Sequence, residues 1–177
     1  MHSRLAEALG YLDDQRKELL ATMEGIPAEK LAKRPAPESW SVAQIIEHLR
    51  VVEGGVARLL AKRATQAREA GMGEETSTDS VLNCLDEHMP KLLGPLKSPS
   101  AVQPRADVNA HDALAGLHIS RQALRTAAET ADGLPLGEIK HTHPVLGDID
   151  LYQWLIFIGQ HEARHARQIR RTLESFS

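Results

Sequence analysis

Apolar residues recur at three- and four-residue steps in five separate stretches of the chain. That spacing lines up one face of an α-helix. No stretch shows the apolar–polar alternation of a half-buried strand. The first stretch runs from about Ser3 to Glu24, with Leu5, Ala8, Leu9, Leu12, Leu19 and Met23 facing inward. Gly25 offers a left-handed stop, and Pro27 follows. A proline-bearing connector over 26–39 leads to the second helix. There Ser41 and Gln44 have the spacing of a capping box, and Trp40 with Ile45 that of a hydrophobic staple. Val42, Ile45, Leu49, Val52, Val56 and Leu60 form its buried face, and the pattern predicts helix to Glu69 or Ala70. Gly54-Gly55 weakens this helix by about 1 kcal/mol per glycine relative to alanine.

After a polar loop over 71–79, the third stretch carries Val81, Leu82, Leu85, Met89, Leu92, Leu93 and Leu96. Pro90 and Pro95 cut it, which predicts a short or kinked helix. The alanine-rich fourth helix is predicted from about Val108 to Ala131, with Leu114, Leu117, Leu124 and Ala128 inward and Asp132-Gly133 ending it. Residues 134–147 read as irregular. Asp148 or Asp150 caps the last helix, about Leu151 to Glu174. Four long helices and a short one, with no internal repeat, predict a single all-α domain over residues 1–177, a four-helix bundle.

Composition narrows the class. With 42% apolar and 25% charged residues, the 177-residue chain is built to fold as a soluble globule. Its net charge of −3 argues against a general nucleic-acid binder, which needs a basic surface. One cysteine, Cys84, rules out an internal disulfide framework and a Cys-rich zinc finger. No apolar run approaches the ~20 residues of a membrane span. The N-terminus leads straight into a polar, periodic segment without the pattern of a signal peptide, so a cytoplasmic location is expected, with neither membrane nor nucleic acid as partner. Nine histidines against six Phe, Trp and Tyr are the odd feature of the composition.

Two of those histidines carry chemistry. His161 and His165 fall inside the apolar stripe of the last helix, marked by Leu151, Trp154, Leu155, Ile158 and Ile169. A spacing of four places both imidazoles on one face a turn apart, where they can reach one ion. Buried without a shared partner they would be costly. The stretch His161-Glu162-Ala163-Arg164-His165 matches the zincin motif H-E-x-x-H literally. A zincin needs a third ligand further along, and after His165 the only acidic residue is Glu174, on the same helix. A di-iron bundle needs two Glu-x-x-His motifs. Glu162-x-x-His165 is one, and His48, His88, His111 and His118 each lack a Glu three residues before. The third ligand must therefore come from another helix. His48, beside Ile45 and Val52 at the margin of the second helix's apolar face, is the first candidate. His118 is a rival, and the His141-Thr-His143 pair runs into Pro144, which favours a turn role. Glu162 is the candidate general base, or else a partner for an imidazole N–H. Arg164 and Arg167 could meet an anionic substrate.

Three segments carry a family resemblance: Glu38-Ser-Trp-Ser-Val-Ala-Gln-Ile-Ile-Glu-His-Leu49, His143-Pro-Val-Leu-Gly147 and Gln160-His-Glu-Ala-Arg-His-Ala-Arg-Gln-Ile169. Together they resemble the DinB-like (YfiT-related) family of helical-bundle metalloproteins, over nearly the whole chain. In that family a tryptophan-serine pair leads into a helix whose histidine is a metal ligand, and the last helix gives an H-x-x-x-H pair, usually followed by Gln-Ile. The resemblance implies a bundle of unusual helix order, often homodimeric, and His48, His161 and His165 as ligands of a divalent metal. It also implies a small-molecule substrate, with thiol-S-transferase-like chemistry on a low-molecular-weight thiol, or isomerase or hydrolase chemistry. The segment from Val81 to Leu96 would be the extra short helix. Zinc is the first expectation for the metal, and imidazole ligands also suit nickel, iron, copper or manganese. The competing class is a non-enzymatic metal-binding or dimeric helical module of stress or binding function.

Overall fold

A computed structural model of the chain describes residues 1–88 and 99–176. Four long helices, α1 (Ser3–Ala21), α3 (Val42–Glu69), α4 (Ala110–Thr130) and α5 (Leu151–Glu174), form the bundle, with a short α2 (Ala28–Ala32) in the proline-bearing connector. Side-chain caps fix the starts of α3, α4 and α5. At α3, Ser41 accepts from the Gln44 N–H while the Gln44 side chain accepts from the Ser41 N–H. Asp150 and Gln153 repeat the reciprocal pair at α5. At α4 the Asn109 side chain accepts from the N–H groups of His111 and Asp112. Gly25, at φ 72°, provides the left-handed turn after α1.

α1 packs along α5, α3 along α4, and α3 meets α5 across the bundle. The inward faces of the pattern are buried as expected: Leu5, Leu9, Leu12 and Leu19 of α1, Ile45, Leu49, Val56 and Leu60 of α3, Leu117 and Leu124 of α4. Val52 and Leu114 are half-buried against the core. Both glycines of α3 sit inside an unbroken helix.

Two expectations need correction. The short or kinked helix over Val81–Leu96 appears in its described part as turns that tighten into one 3₁₀ turn at Asp86–His88, not as α-helix. Val81 and Leu85 are buried, but the N–H groups of Cys84, Asp86 and His88 reach back only three residues, in successive turns. The remainder, with Met89, Pro90, Leu92, Leu93, Pro95 and Leu96, lies outside the described residues. The stretch read as irregular contains a two-stranded antiparallel hairpin, β1 (Lys140–His143) with β2 (Gly147–Asp150), in which His143 faces Gly147. Gly147, at φ 82°, turns the chain in a way few side chains allow. The hairpin's strands are too short and too polar for an apolar alternation to announce them. It leads directly into α5. Among the described residues no helix is long and apolar enough to cross a membrane.

Candidate metal centre and its cleft

Three imidazoles converge where α3 and α5 meet. His48 Nε2 lies 3.2 Å from His161 Nε2, and His165 Nε2 lies 3.1 Å from the same atom. The ligating nitrogens of the three residues all fall within 4.8 Å of one another. His48 and His165 are buried and His161 is half-buried. The outer nitrogens are tied. His48 Nδ1 stands 2.7 Å from the Val102 carbonyl oxygen, in the 3₁₀ turn Ser100–Val102, and His165 Nδ1 stands 2.8 Å from Gln168 Oε1. A carbonyl oxygen can only accept, so both Nδ1 atoms carry the proton and both Nε2 atoms present a lone pair. Two lone pairs then face His161 Nε2, which can satisfy at most one of them as a neutral ring.

Protonation does not resolve the crowding. Burial lowers the pKa of His48, and takes that of His165 down to about 3. Burial first, then His165 and His48, hold His161 well below the usual imidazole value. The donor set therefore fits a cation that imidazole lone pairs favour. Zinc–nitrogen bonds of about 2.0–2.1 Å at tetrahedral angles put two ligand nitrogens ~3.3 Å apart, close to the separations seen. Trp40, at the start of α3, braces the site with its ring 5.1 Å from that of His48, and Phe157 stacks on His161 at 5.4 Å.

The centre opens into a cleft of about 980 Å³. α3 supplies Val51, Val52, Gly55 and Leu59, and α5 supplies Trp154, Phe157 and polar residues further along. A Cβ built on Gly55 meets nothing within 4 Å, so this glycine leaves the floor open rather than relieving a clash. Gly55→Ala is expected to stabilise the protein by up to about 1 kcal/mol in urea unfolding, because alanine restores helix propensity without a steric cost.

The hairpin closes one end of the cleft. His143 packs on Trp154 and Phe157 at 4.9 and 4.6 Å, and its Nδ1 accepts from the N–H groups of Val145 and Leu146. This is the opposite tautomer to that of His48 and His165, with Nε2 carrying the proton. Burial lowers its pKa to about 4. An unfolded imidazole titrates near ~6.5, so between about 4 and 6.5 the unfolded chain binds the proton that folded His143 refuses. Stability from this group is complete above pH ~6.5 and falls as the pH drops to about 4, by no more than about 3 kcal/mol. Thermal melts between pH 4 and 7 should show that slope, reduced in His143→Asn.

The other histidines lie elsewhere. His118 is exposed and pairs with Gln122, and His141 lines the cleft beside Arg63. Cys84 is no nucleophile at neutral pH, since burial raises its thiol pKa to about 12.

Glu162 is not placed as expected. It is buried on the core side of α5, with Oε1 accepting from Arg16 Nε at 2.8 Å, Arg16 Nη2 at 2.6 Å and Arg121 Nη2 at 3.0 Å. It does not line the cleft. One residue's rotation, about 100°, separates its direction from that of His161, and the imidazole N–H groups it was expected to meet are taken by Val102 and Gln168. The two guanidiniums also hold Glu53 of α3. Arg16 Nη2 lies 2.9 Å from Glu53 Oε2, and Arg121 Nε lies 2.6 Å from Glu53 Oε1. Sequence reading passed over this cluster, yet a signal was there. Arg16, Glu53, Arg121 and Glu162 each follow an inward Leu or Ile by four residues: Leu12, Leu49, Leu117 and Ile158. Four charges in four core stripes, summing to zero, point to a shared buried network.

The four-helix bundle with one buried trio of imidazoles at the mouth of a cleft defines a histidine-cluster helical-bundle class. Comparison with known proteins gives the family. Residues 11–169 match the model of the DinB superfamily, and the chain belongs to that superfamily. The uncharacterized protein YuaE of Bacillus subtilis (strain 168) is 26% identical over 172 residues, covering 94% of this chain and 97% of that protein. The crystal structure of TT2238, described as a four-helix bundle protein, superposes with a TM-score of 0.63 at 22% identity, over 94% of this chain and 98% of that one.

Proposed function

We propose that this protein is a metal-dependent enzyme acting on a small molecule. His48, His161 and His165 would hold one divalent ion, zinc first, through their Nε2 atoms. The observation that carries the reading is the convergence of three imidazoles: the Nε2 atoms of His48 and His165 lie 3.2 and 3.1 Å from His161 Nε2, while their Nδ1 atoms are held by the Val102 and Gln168 oxygens. Three protein ligands are the number found in catalytic zinc sites, which keep a position open. When bound there, such an ion lowers the pKa of a water or thiol toward neutrality.

The chain's own residues supply the rest. Val102 and Gln168 orient the ligand rings and raise their basicity. Phe157, Trp154 and Val52 exclude water from one side of the cleft. His143, locked with its proton on Nε2, is the donor suited to a substrate oxygen. The reactions favoured are transfer to or from a low-molecular-weight thiol, and hydrolysis.

Metal analysis of the untagged protein is the first test, with about one divalent ion per chain expected. No stoichiometric metal, together with no effect of His48→Ala, would overturn the reading. Thiol-consumption assays with glutathione, bacillithiol and mycothiol analogues then separate transfer from hydrolysis. A bound ion with no turnover of thiols, esters or amides would make the protein a metal-binding module.

A further inference from the structure

The cleft beside the imidazoles is unevenly charged. Arg164, Arg167 and Arg171 stand three and four residues apart on the face of α5 that lines it, and Arg58 lines the α3 side. Like charges at that spacing repel along a helix. Cations near a helix C-terminus are favoured by its dipole, but that does not explain which face they take. Arg170, on the turn between them, points away and meets Glu18 at 3.7 Å. Among the described residues, Arg58, Arg167 and Arg171 have no carboxylate within ion-pairing distance. Among the described residues, the cleft walls contain one acidic side chain, Glu38. In a chain of net charge −3, this is a local segregation of positive charge.

The opposite end is apolar and aromatic, built from Trp154, Phe157 and the hairpin. Phe157, Arg164 and Arg171 succeed one another at seven-residue steps on one face, so about 10 Å of helix separates the aromatic ring from the first guanidinium. We propose that the cleft binds an amphipathic organic anion, its charged head on the Arg164–Arg167–Arg171 face and its apolar body against Phe157 and Trp154. The inference rests on reading this cleft as the substrate site, but not on the ion. Guanidinium forks accept carboxylate and phosphate alike, so the head group is either of these.

The test titrates octanoate, octyl phosphate and the neutral octanamide into the full-length protein by calorimetry at low salt. Wild type is compared with the double variant Arg167→Gln/Arg171→Gln, both positions being exposed, and with His161→Ala, which breaks the ion site. At least one anion is expected to bind about tenfold tighter than octanamide, as one charge-assisted hydrogen bond allows. That preference should vanish in the double arginine variant and persist in His161→Ala. The tighter of the two anions identifies the head group, and equal affinities support the shared chemistry. The proposal fails if octanamide binds as well as the anions, if none of the three binds, or if the preference survives loss of the arginines. A preference lost in His161→Ala but kept in the arginine variant assigns the anion to the ion instead, overturning this inference and leaving the metal reading intact. A preference that persists in protein without metal separates the two in the other direction.

Discussion

Arg121→Met should cost about 3–5 kcal/mol of folding stability, the range found when one partner of a buried ion pair is removed. The Arg121 side chain is 7% exposed, and those of Glu53 and Glu162 are 2% exposed. Its guanidinium touches Glu53, Glu162 and the Leu12 carbonyl oxygen. Methionine fills much of the same volume but leaves Arg16 as the one guanidinium for two buried carboxylates, with the Ser120 hydroxyl still donating to Glu53. Against a total of about 5–15 kcal/mol for a typical domain, that loss brings the protein near its unfolding threshold. Urea unfolding followed by circular dichroism gives the difference directly. Replacing all four charges with apolar residues of similar size is expected to cost far less, because no charge is then left unpaired.

His161→Ala should abolish stoichiometric metal binding while leaving the fold intact. His161 stands between the other two imidazoles, so its removal leaves His48 and His165 without the nitrogen each of them faces. The ring is half-buried at the cleft, so alanine opens space there rather than a sealed core cavity. Gln168→Leu is the graded companion. It keeps all three imidazoles but frees His165 Nδ1, and loss of such an outer partner typically weakens metal affinity by 10–100-fold. Competition with a chromophoric chelator, at matched circular dichroism, measures both variants. Removal of metal from the wild type should lower its melting temperature, and His161→Ala should show no such response, since an ion that binds only the folded state stabilises it by mass action.

The features legible in the sequence are those written locally. The α3 capping box needs only Ser41 and Gln44, and the His161–His165 pair needs only a helix and a stripe. α5 was bounded at Leu151 and Glu174 for the same reason. His48 was readable as a residue at the edge of an apolar face, although its approach to His161, 113 positions away, is a fact of packing. What escaped is non-local or too short. Val102 reaches His48 from a connector with no periodicity at all. β1 and β2 are four residues each, with a pairing set by Gly147 and Pro144 rather than by hydrophobic alternation. Glu162 escaped for the same reason: the arginines that receive it lie on α1 and α4, and nothing local to α5 names them.

The buried charge cluster has a geometric consequence. Glu162 is the immediate neighbour of His161 and three residues from His165, so whatever fixes its angle about the α5 axis also fixes the angles of both imidazoles. Apolar side chains tolerate a small roll of one helix against another, whereas a carboxylate caught between two guanidiniums does not. The cluster thus acts as a key in a slot that indexes α5 to α1, α3 and α4. On this view the all-apolar quadruple variant should remain folded yet bind a divalent ion more weakly than the wild type, having kept its stability and lost its rotational reference.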